Sequence, residues 1–215
     1  MIVLLSSKLP ECISQDEMLA SLSTLFPAKG NNIYFKSKTS EKNDEGSRES
    51  LYALIVLSKA LPLLPTKVDM SRLIFKRDKG GKPYFDHSNI KFNVSHSKGY
   101  VACCVSDECD VGVDIEASHI SAEKARKLAK RFFTREEAAK IEQSPEIFTR
   151  IWSEKEAEAK FTGNDLCTLL KEQKSDRDQP KSEAKICFHR FKTNNIPITV
   201  CTPSHFSTIL FKIIQ

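Results

Sequence analysis

The sequence predicts an α+β protein whose strand and helix groups recur in each half of the chain. Helical patterns of apolar residues alternate with short strand patterns, and the acidic stretch 107–110 lies near the approximate divide. A length of 215 residues leaves ample chain to bury a core, in one domain or in two small fused ones. We therefore predict an N-terminal subdomain at 1–107 and a C-terminal subdomain at 108–215.

The composition is that of an ordinary globular protein. Apolar residues make up 40% of the chain and charged residues 28%, which argues against the disordered and membrane classes. The net charge of +5 favours acidic partners without choosing among nucleic acid, phosphate ligands and acidic proteins. The seven cysteines are odd in number and lack zinc-type spacing, so we expect free thiols in a reducing cytosol. The apolar start, 1–7, is too short for a signal sequence, and we expect a cytoplasmic protein without a membrane span.

The first half begins with a predicted strand at 2–6, followed by a helix whose N-terminus is indicated by a capping box of Ser14 and Glu17. The polar segment 27–47 predicts a mobile surface loop. Arg48 then opens a second helix with apolar residues at helical spacing.

Four strand patterns surround the middle of the chain. Segments 73–76 and 82–85 flank a glycine-rich turn and predict a hairpin, and a further strand is predicted at 92–94. The strands at 99–106 and 111–116 are predicted to form a second hairpin, closed by the acidic turn between them.

The second half begins with a basic helix predicted at 121–133. Thr134 and Glu137 cap a short helix, and a long helix follows Ser144 and Pro145. Gly163 is suited to end that helix. A charged loop is predicted after residue 171, followed by three strands at 185–191, 196–201 and 207–213.

Two carboxylates are predicted to share one face of the strand at 111–116. Side chains alternate across a strand, so Asp114 and Glu116 point the same way, together with Gly112. Like charges so close favour a cation between them, and Mg²⁺ commonly takes a few carboxylates plus the phosphates of a substrate. The alternative is a solvated strand face; we favour a ligand because a glycine inside a strand suggests close approach of another group.

The long helix offers a third carboxylate and a cation. Trp152, Glu156 and Lys160 recur every four residues and therefore lie along one stripe of the helix. The sequence thus predicts a metal site of Asp114, Glu116 and Glu156, with Lys160 beside it.

Four motifs in this order and spacing resemble the 4'-phosphopantetheinyl transferases of the long type similar to the surfactin-synthetase activator. They cover the middle of the chain, and they are Gly81-Lys82-Pro83, Phe92-Asn93-Val94-Ser95-His96-Ser97, Gly112-Val113-Asp114-Ile115-Glu116 and Trp152-Ser153-Glu154-Lys155-Glu156-Ala157. The resemblance implies two similar α+β subdomains related by a pseudo-twofold axis, with coenzyme A in the cleft between them. It also implies transfer of 4'-phosphopantetheine from coenzyme A to a serine of an apo acyl or peptidyl carrier protein.

The resemblance also implies the roles of individual residues. Mg²⁺ is expected at the three carboxylates, with Glu156 as the base and Lys160 offsetting the charge of the leaving phosphate. Contacts to coenzyme A are expected from Arg48, Lys82, Ser95, His96, Lys155 and Lys160. Judged by sequence position alone, these side chains also fit solvated surfaces, a satisfied turn histidine or i,i+4 helix pairs.

The expected partners are coenzyme A and a carrier protein, with a monomeric enzyme and no nucleic acid or membrane. Because such carriers are acidic, the basic helix at 121–133 is a candidate docking surface. Two rival functions are also compatible with the sequence. A magnesium-dependent phosphohydrolase would use the same carboxylates, and a non-catalytic basic module would bind nucleic acid or an acidic protein.

Overall fold

The computed structural model describes residues 1–39, 45–175, 185–206 and 208–214. These residues form the α+β fold that the sequence predicts, with a mainly antiparallel four-stranded sheet, an antiparallel three-stranded sheet, a separate two-stranded hairpin, and helices packed on the two larger sheets. The elements of the first half are β1 (Ile2–Lys8), α1 (Gln15–Leu25), α2 (Asn31–Lys36), α3 (Glu45–Ala60), β2 (Ile74–Arg77), β3 (Pro83–Asp86), β4 (Lys91–Ser97) and β5 (Tyr100–Ser106). Those of the second half are β6 (Gly112–Ile115), α4 (Ala122–Phe132), α5 (Arg135–Gln143), α6 (Phe148–Thr162), α7 (Leu166–Ser175), β7 (Ile186–Thr193), β8 (Ile196–Pro203) and β9 (Ile209–Ile213).

The two halves share one topology. In the first, β1 pairs antiparallel with β5, the second strand of the β4–β5 hairpin, and in the second half β6 pairs in the same way with β8 of the β7–β8 hairpin. Both hairpins turn through two residues with positive φ, Lys98–Gly99 and Asn194–Asn195, as tight hairpins require. A long helix, α3 or α6, packs on each sheet. The order of elements therefore repeats although the sequence does not.

The last strand crosses from one half to the other. β9 pairs parallel with β1, which extends the first sheet to the order β4-β5-β1-β9. The C-terminal part of the chain thus completes the N-terminal sheet, and the subdomain boundary at residues 107 and 108 stays a prediction. No helix among the described residues is long and apolar enough to cross a membrane.

Several caps are formed as predicted. Ser14 and Glu17 make a capping box at the start of α1, and Thr134 and Glu137 make one at α5. Gly163 ends α6 in the left-handed conformation, with φ of 75°.

The predicted loop at 27–47 contains regular structure. It holds α2, and α3 begins at Glu45 rather than at Arg48; residues 40–44 lie outside the described residues. The buried side chain of Asn31 explains the order here, because its amide donates to the carbonyls of Phe26 and Leu73 and its oxygen accepts the amide of Phe75. The helix α7 was likewise not predicted.

The predicted hairpin of 99–106 with 111–116 is wrong. The acidic turn carries the chain from one sheet to the other, so β6 pairs with β8 and not with β5. The apolar faces of the two sheets then meet across a core that contains Leu4, Cys104, Val113 and Val200.

The edge strands β4 and β6 are joined through side chains. The amide of Val113 donates to Asn93 Oδ1 at 3.0 Å and the amide of Ile115 donates to Ser95 Oγ at 3.3 Å. One step further, the amide of Ala117 donates to Ser97 Oγ at 3.1 Å. We call these three hydrogen bonds the β4–β6 seam. They satisfy alternate amides along β6, which would otherwise need the carbonyls of a neighbouring strand.

Candidate active site

A cavity of about 280 Å³ opens between the two halves, beside the β4–β6 seam. Its walls come from α3, β4, the tip of the β2–β3 hairpin and the C-terminal end of α6. The lining residues are Lys38, Ser50, Gly80, Gly81, Lys82, Pro83, Asn93, Val94, His96, Ala159, Lys160, Gly163 and Asn164.

The cavity wall is cationic. Among the described residues, three lysines and one histidine line it, and none of these lining residues is acidic. Burial, with a smaller contribution from Arg77, lowers the pKa of Lys38 to about 8, and burial also lowers the pKa of Lys82. A bound anion would offset this loss of hydration, so the cavity is suited to a phosphate-bearing ligand.

Asp114 lies behind the cavity on β6 and is 3% exposed. Its Oδ1 accepts hydrogen bonds from Lys160 Nζ at 2.8 Å and from Ser95 Oγ at 3.0 Å. Its Oδ2 is buried and makes no hydrogen bond with the described residues. An orphaned carboxylate oxygen of this kind is costly, on the order of 1–3 kcal/mol, unless a ligand or a cation completes it.

Glu156 faces Asp114 from α6. Trp152 Nε1 donates to Glu156 Oε1 at 2.7 Å, and Lys160 Nζ lies 3.4 Å from Glu156 Oε2. The predicted stripe of Trp152, Glu156 and Lys160 is therefore present, and it points towards β6.

The two carboxyl groups titrate in opposite directions. Burial alone would raise the pKa of Asp114, but the charge and hydrogen bond of Lys160 outweigh it and lower that pKa. Burial and the neighbouring Asp114 carboxylate raise the pKa of Glu156. One carboxylate is thus held charged while the other lies closer to proton transfer at neutral pH, which is how acid–base sites divide such roles.

Glu116 lies two residues after Asp114, the spacing that places side chains on the same face of an extended chain. Its Oε1 accepts hydrogen bonds from the amide of Ser118 at 2.8 Å and from the hydroxyl of Ser97 at 3.2 Å. Among the described residues, no three acidic, histidine or cysteine side chains are already grouped to hold a metal. The structure brings together Asp114 and Glu156, and the role of Glu116 as a metal ligand stays a prediction.

The donor set nevertheless fits a Mg²⁺ ion. Asp114 Oδ2 is without a hydrogen-bond partner among the described residues, and burial together with the Asp114 carboxylate raises the pKa of Glu156. Mg²⁺ usually binds through one or two carboxylates, several waters and the phosphates of a substrate, so a complete protein cage is not required.

Three other predicted site residues border this cluster. Ser95 Oγ also accepts from Lys160 Nζ at 2.9 Å, which places it between the seam and the carboxylates. Lys82 Nζ donates to the carbonyl of Phe161 at 2.8 Å, near the C-terminal end of α6, where a cation is favourable. His96 lines the cavity and contacts Glu49 and Ser50.

Arg48 and Lys155 are not among the described residues that line the cavity, and their contacts with coenzyme A stay predictions. The Arg48 guanidinium donates to the carbonyls of Pro10, Glu11 and Ile13, and so ties the start of α3 to the loop before α1. Lys155 Nζ is buried between Glu137 Oε1 at 2.7 Å and Gln173 Oε1 at 2.6 Å. Lys155 points about 100° around the helix from Glu156, and its two partners belong to α5 and α7.

The close approach inferred at Gly112 is real, but the approaching group is not a ligand. A Cβ at this position would overlap the carbonyl oxygen of Ala157 and lie 2.6 Å from the amide nitrogen of Phe161. Gly112 therefore lets α6 rest directly on β6, which brings Glu156 and Lys160 within reach of Asp114.

Sequence reasoning missed three polar residues near the cavity. Lys38 lies in the segment 27–47, for which the sequence predicts a mobile surface loop, and Glu49 and Ser50 directly follow Arg48. Their alignment with His96 depends on how α3 packs on β4, which no local pattern encodes.

Known proteins resemble the chain over most of its length. The model of the "4'-phosphopantetheinyl transferase superfamily" matches residues 110–201, a range that contains Asp114, Glu156 and Lys160. The chain is 31% identical over 159 residues to "4'-phosphopantetheinyl transferase AcpT" of Salmonella typhi, covering 71% of this chain and 75% of that protein.

Two further relatives give a similar result. Identity is 31% over 169 residues to "4'-phosphopantetheinyl transferase HetI" of Nostoc sp., with 74% of this chain and 67% of that protein covered. Identity is 26% over 169 residues to "4'-phosphopantetheinyl transferase gsp" of Aneurinibacillus migulanus, with 76% of this chain and 67% of that protein covered. With its fold and carboxylate pair, the chain therefore belongs to the 4'-phosphopantetheinyl transferase superfamily.

Proposed function

We propose that this chain transfers 4'-phosphopantetheine from coenzyme A to a serine hydroxyl of an acyl or peptidyl carrier protein. The reaction is Mg²⁺-dependent and releases adenosine 3',5'-bisphosphate. The observation that supports it best is the Asp114–Lys160–Glu156 cluster at the edge of a cationic cavity.

The cavity residues bind the phosphates of coenzyme A in this proposal. Lys38, Lys82 and His96 surround the space, and close-range charges there are screened less than on an open surface. Gly80 and Gly81 leave room for a phosphate to approach the backbone of the hairpin tip.

Glu156 accepts the proton of the carrier serine, directly or through a water molecule. Its raised pKa brings it closer to neutral pH, which favours a carboxylate that must accept and later release a proton. Trp152 fixes the orientation of this carboxylate through the 2.7 Å hydrogen bond.

Lys160 neutralises the negative charge that develops on the leaving phosphate. Its ammonium lies between Asp114 and Glu156 on the cavity wall, so it can reach a phosphate without a change of backbone. A Mg²⁺ ion held by Asp114 and Glu156, with Glu116 as a third ligand, would neutralise the pyrophosphate and orient it.

The carrier protein docks on the exposed side of α4. Lys124, Lys127 and Arg131 are exposed there, and Arg131 lies over the ring of Phe132 with 4.9 Å between the guanidinium carbon and the ring centroid. An acidic carrier fits this combination of charge and apolar surface.

The experiment combines the protein with coenzyme A, MgCl₂ and an apo carrier protein, and follows the carrier by intact mass spectrometry. We expect the carrier to gain one phosphopantetheine group only when all components are present. Omission of the carrier separates the rival hydrolase, which would consume coenzyme A without any acceptor. Failure to modify a panel of acyl and peptidyl carriers would refute the proposal.

A further inference from the structure

A second polar network lies on the cavity wall contributed by α3 and β4. His96 Nδ1 is 2.8 Å from Glu49 Oε2, and His96 Nε2 is 3.1 Å from Ser50 Oγ. The imidazole is therefore held at both nitrogens by two consecutive residues of α3. Both His96 and Ser50 line the cavity, whereas Glu49 stands behind them.

Glu49 is unusually buried for a carboxylate, with 4% of its surface exposed. Its second oxygen, Oε1, accepts the amide of Gly99 in the turn of the β4–β5 hairpin. Both oxygens thus accept hydrogen bonds from donors that the fold supplies, and they fix the position of the carboxylate relative to β4.

These contacts determine which imidazole nitrogen carries a proton. An ionised carboxylate can only accept, so Nδ1 must donate to Glu49, and the proton of a neutral ring is placed on Nδ1. In the neutral ring Nε2 is then an acceptor for the hydroxyl of Ser50. After a second protonation, Nε2 becomes a donor that faces the cavity.

We propose that Glu49 is a positioning residue for His96: it holds the Nδ1 proton, directs Nε2 to the cavity and stabilises the imidazolium that donates to a bound phosphate. Ser50 is the partner of Nε2 in the absence of an anion. This inference deepens the proposed function and rests on it, because the phosphate is taken to belong to coenzyme A.

The surroundings of His96 disfavour its charged form, so the imidazolium needs the stabilisation that Glu49 provides. Burial lowers the pKa of His96, and the positive charges of Lys160 on α6 and Lys38 after α2 act in the same direction. Glu49 is the group that opposes them. A phosphate at Nε2 would also favour the imidazolium, so anion binding should take up a proton and weaken as pH rises.

The test is side-chain NMR of His96 in the intact protein, with its signal assigned by comparison with the variant His96→Gln. Inorganic pyrophosphate is the probe, so that no enzymatic turnover is required. We expect the neutral ring in the wild type to carry its proton on Nδ1, and pyrophosphate to raise the pKa of His96. Glu49→Gln should lower that pKa by about one unit and weaken pyrophosphate binding at neutral pH by about tenfold.

Glu45→Gln is the matched control, because Glu45 is an exposed carboxylate in the first turn of the same helix. It should leave the pKa of His96 and the affinity for pyrophosphate unchanged. A purely structural role for Glu49 would change stability without moving this titration.

Three results would overturn the inference: a neutral wild-type ring protonated on Nε2, a His96 pKa that pyrophosphate does not raise, or a Glu49→Gln titration equal to the wild type. The first two do not depend on Glu49→Gln, so a poorly folded Glu49→Gln protein leaves the inference testable. If the carrier assay fails while the NMR results hold, the proposed function is wrong and the role of Glu49 towards an anion stands.

Discussion

The two oxygens of Asp114 have different surroundings, and this difference is central to the chemistry at the residue scale. Oδ1 is satisfied by Lys160 and Ser95, whereas Oδ2 has no hydrogen-bond partner among the described residues. Lys160 thus serves as the counter-ion of the carboxylate and leaves one oxygen open to a cation.

Replacing Asp114 by Asn should remove most of the activity. The amide cannot neutralise Lys160 and is a poorer ligand for Mg²⁺, so we expect a loss of about 100-fold or more in the rate of carrier modification. The rate should be measured against MgCl₂ concentration by intact mass. Glu108→Gln, an exposed carboxylate on the segment before β6, is the control and should retain full activity. Near-normal activity of Asp114→Asn would rule out the proposed site.

Replacing Glu156 by Gln should stabilise the protein while inactivating it. The pKa of Glu156 is raised in the folded state, so between its unfolded value and its folded value the folded protein holds the extra proton, and stability falls as pH rises through that window. At neutral pH the ionised group therefore costs stability, and Gln removes that cost while still accepting from Trp152. Thermal unfolding with a chelator present should show a higher Tm for the variant at pH 7.5 and a smaller difference near pH 4. A lower Tm at pH 7.5 would contradict this.

The sequence alone was enough to predict the positions of residues whose placement follows a local rule of strand or helix geometry. Asp114 follows strand alternation, and Glu156 and Lys160 follow the four-residue helical step. The partners of Arg48 and Lys155, loop carbonyls and Glu137, could not be predicted because tertiary packing supplies them. Glu49 was overlooked for the same reason, since its contact with His96 joins a helix to a strand.

At the scale of elements, the contact between α6 and β6 sets the geometry of the site. Gly112 permits it, and Ser153 Oγ strengthens it by donating to Thr199 Oγ1 of β8 at 3.0 Å. The helix therefore meets the sheet at two points on either side of Glu156.

Gly112→Ala should destabilise the protein and reduce activity together. The added methyl group would overlap the carbonyl of Ala157, and overpacking of this kind typically costs about 1–3 kcal/mol. Urea unfolding would measure the loss, and the carrier assay would show whether Glu156 has moved from Asp114. A variant as stable as the wild type would mean that α6 does not rest on β6 as described.

The basic face of α4 should affect the KM for the carrier protein and not the KM for coenzyme A. Reversing two exposed charges in Lys124→Glu/Lys127→Glu should raise the KM for the carrier about tenfold at low salt, with little change in the KM for coenzyme A. Because exposed charges are screened by salt, the difference should shrink as ionic strength rises. Lys67→Glu, an exposed lysine of the first half, is the control. Equal carrier KM values in all three proteins would move the docking surface elsewhere.

Element types were predictable where caps and periodicity agreed, as at α1 and α5. The long helix predicted after Ser144 and Pro145 is present, but those two residues start a separate 3-10 turn and α6 begins at Phe148. Pairing was harder, because a turn rich in acidic residues between two strands is equally compatible with a hairpin and with a crossing between sheets. The transfer of β6 to β8 is decided by the apolar core that closes between the sheets, which contains Leu4 and Val113.

At the scale of the whole molecule, two copies of one topology enclose the cavity. The strand, long helix and hairpin of each half correspond, yet only the second half supplies the carboxylate pair, on β6 and α6. The first half supplies His96 and Ser95 from β4 and Lys38 from the turn after α2. The site is therefore complete only when the halves are associated, which a residue pattern within one half cannot reveal.

The β4–β6 seam gives the two halves a distinctive signature in amide hydrogen exchange. The amides of Val113, Ile115 and Ala117 are protected by side chains of β4, whereas that of Glu116 is protected by the carbonyl of Pro197 in β8. A brief separation of the halves would expose the first set to deuterium and leave the second protected, so the rates should alternate along β6. Uniform rates would mean that the halves open only by global unfolding. Substrate bound across the cavity should slow the odd-numbered amides most, since it bridges the parts that must come apart.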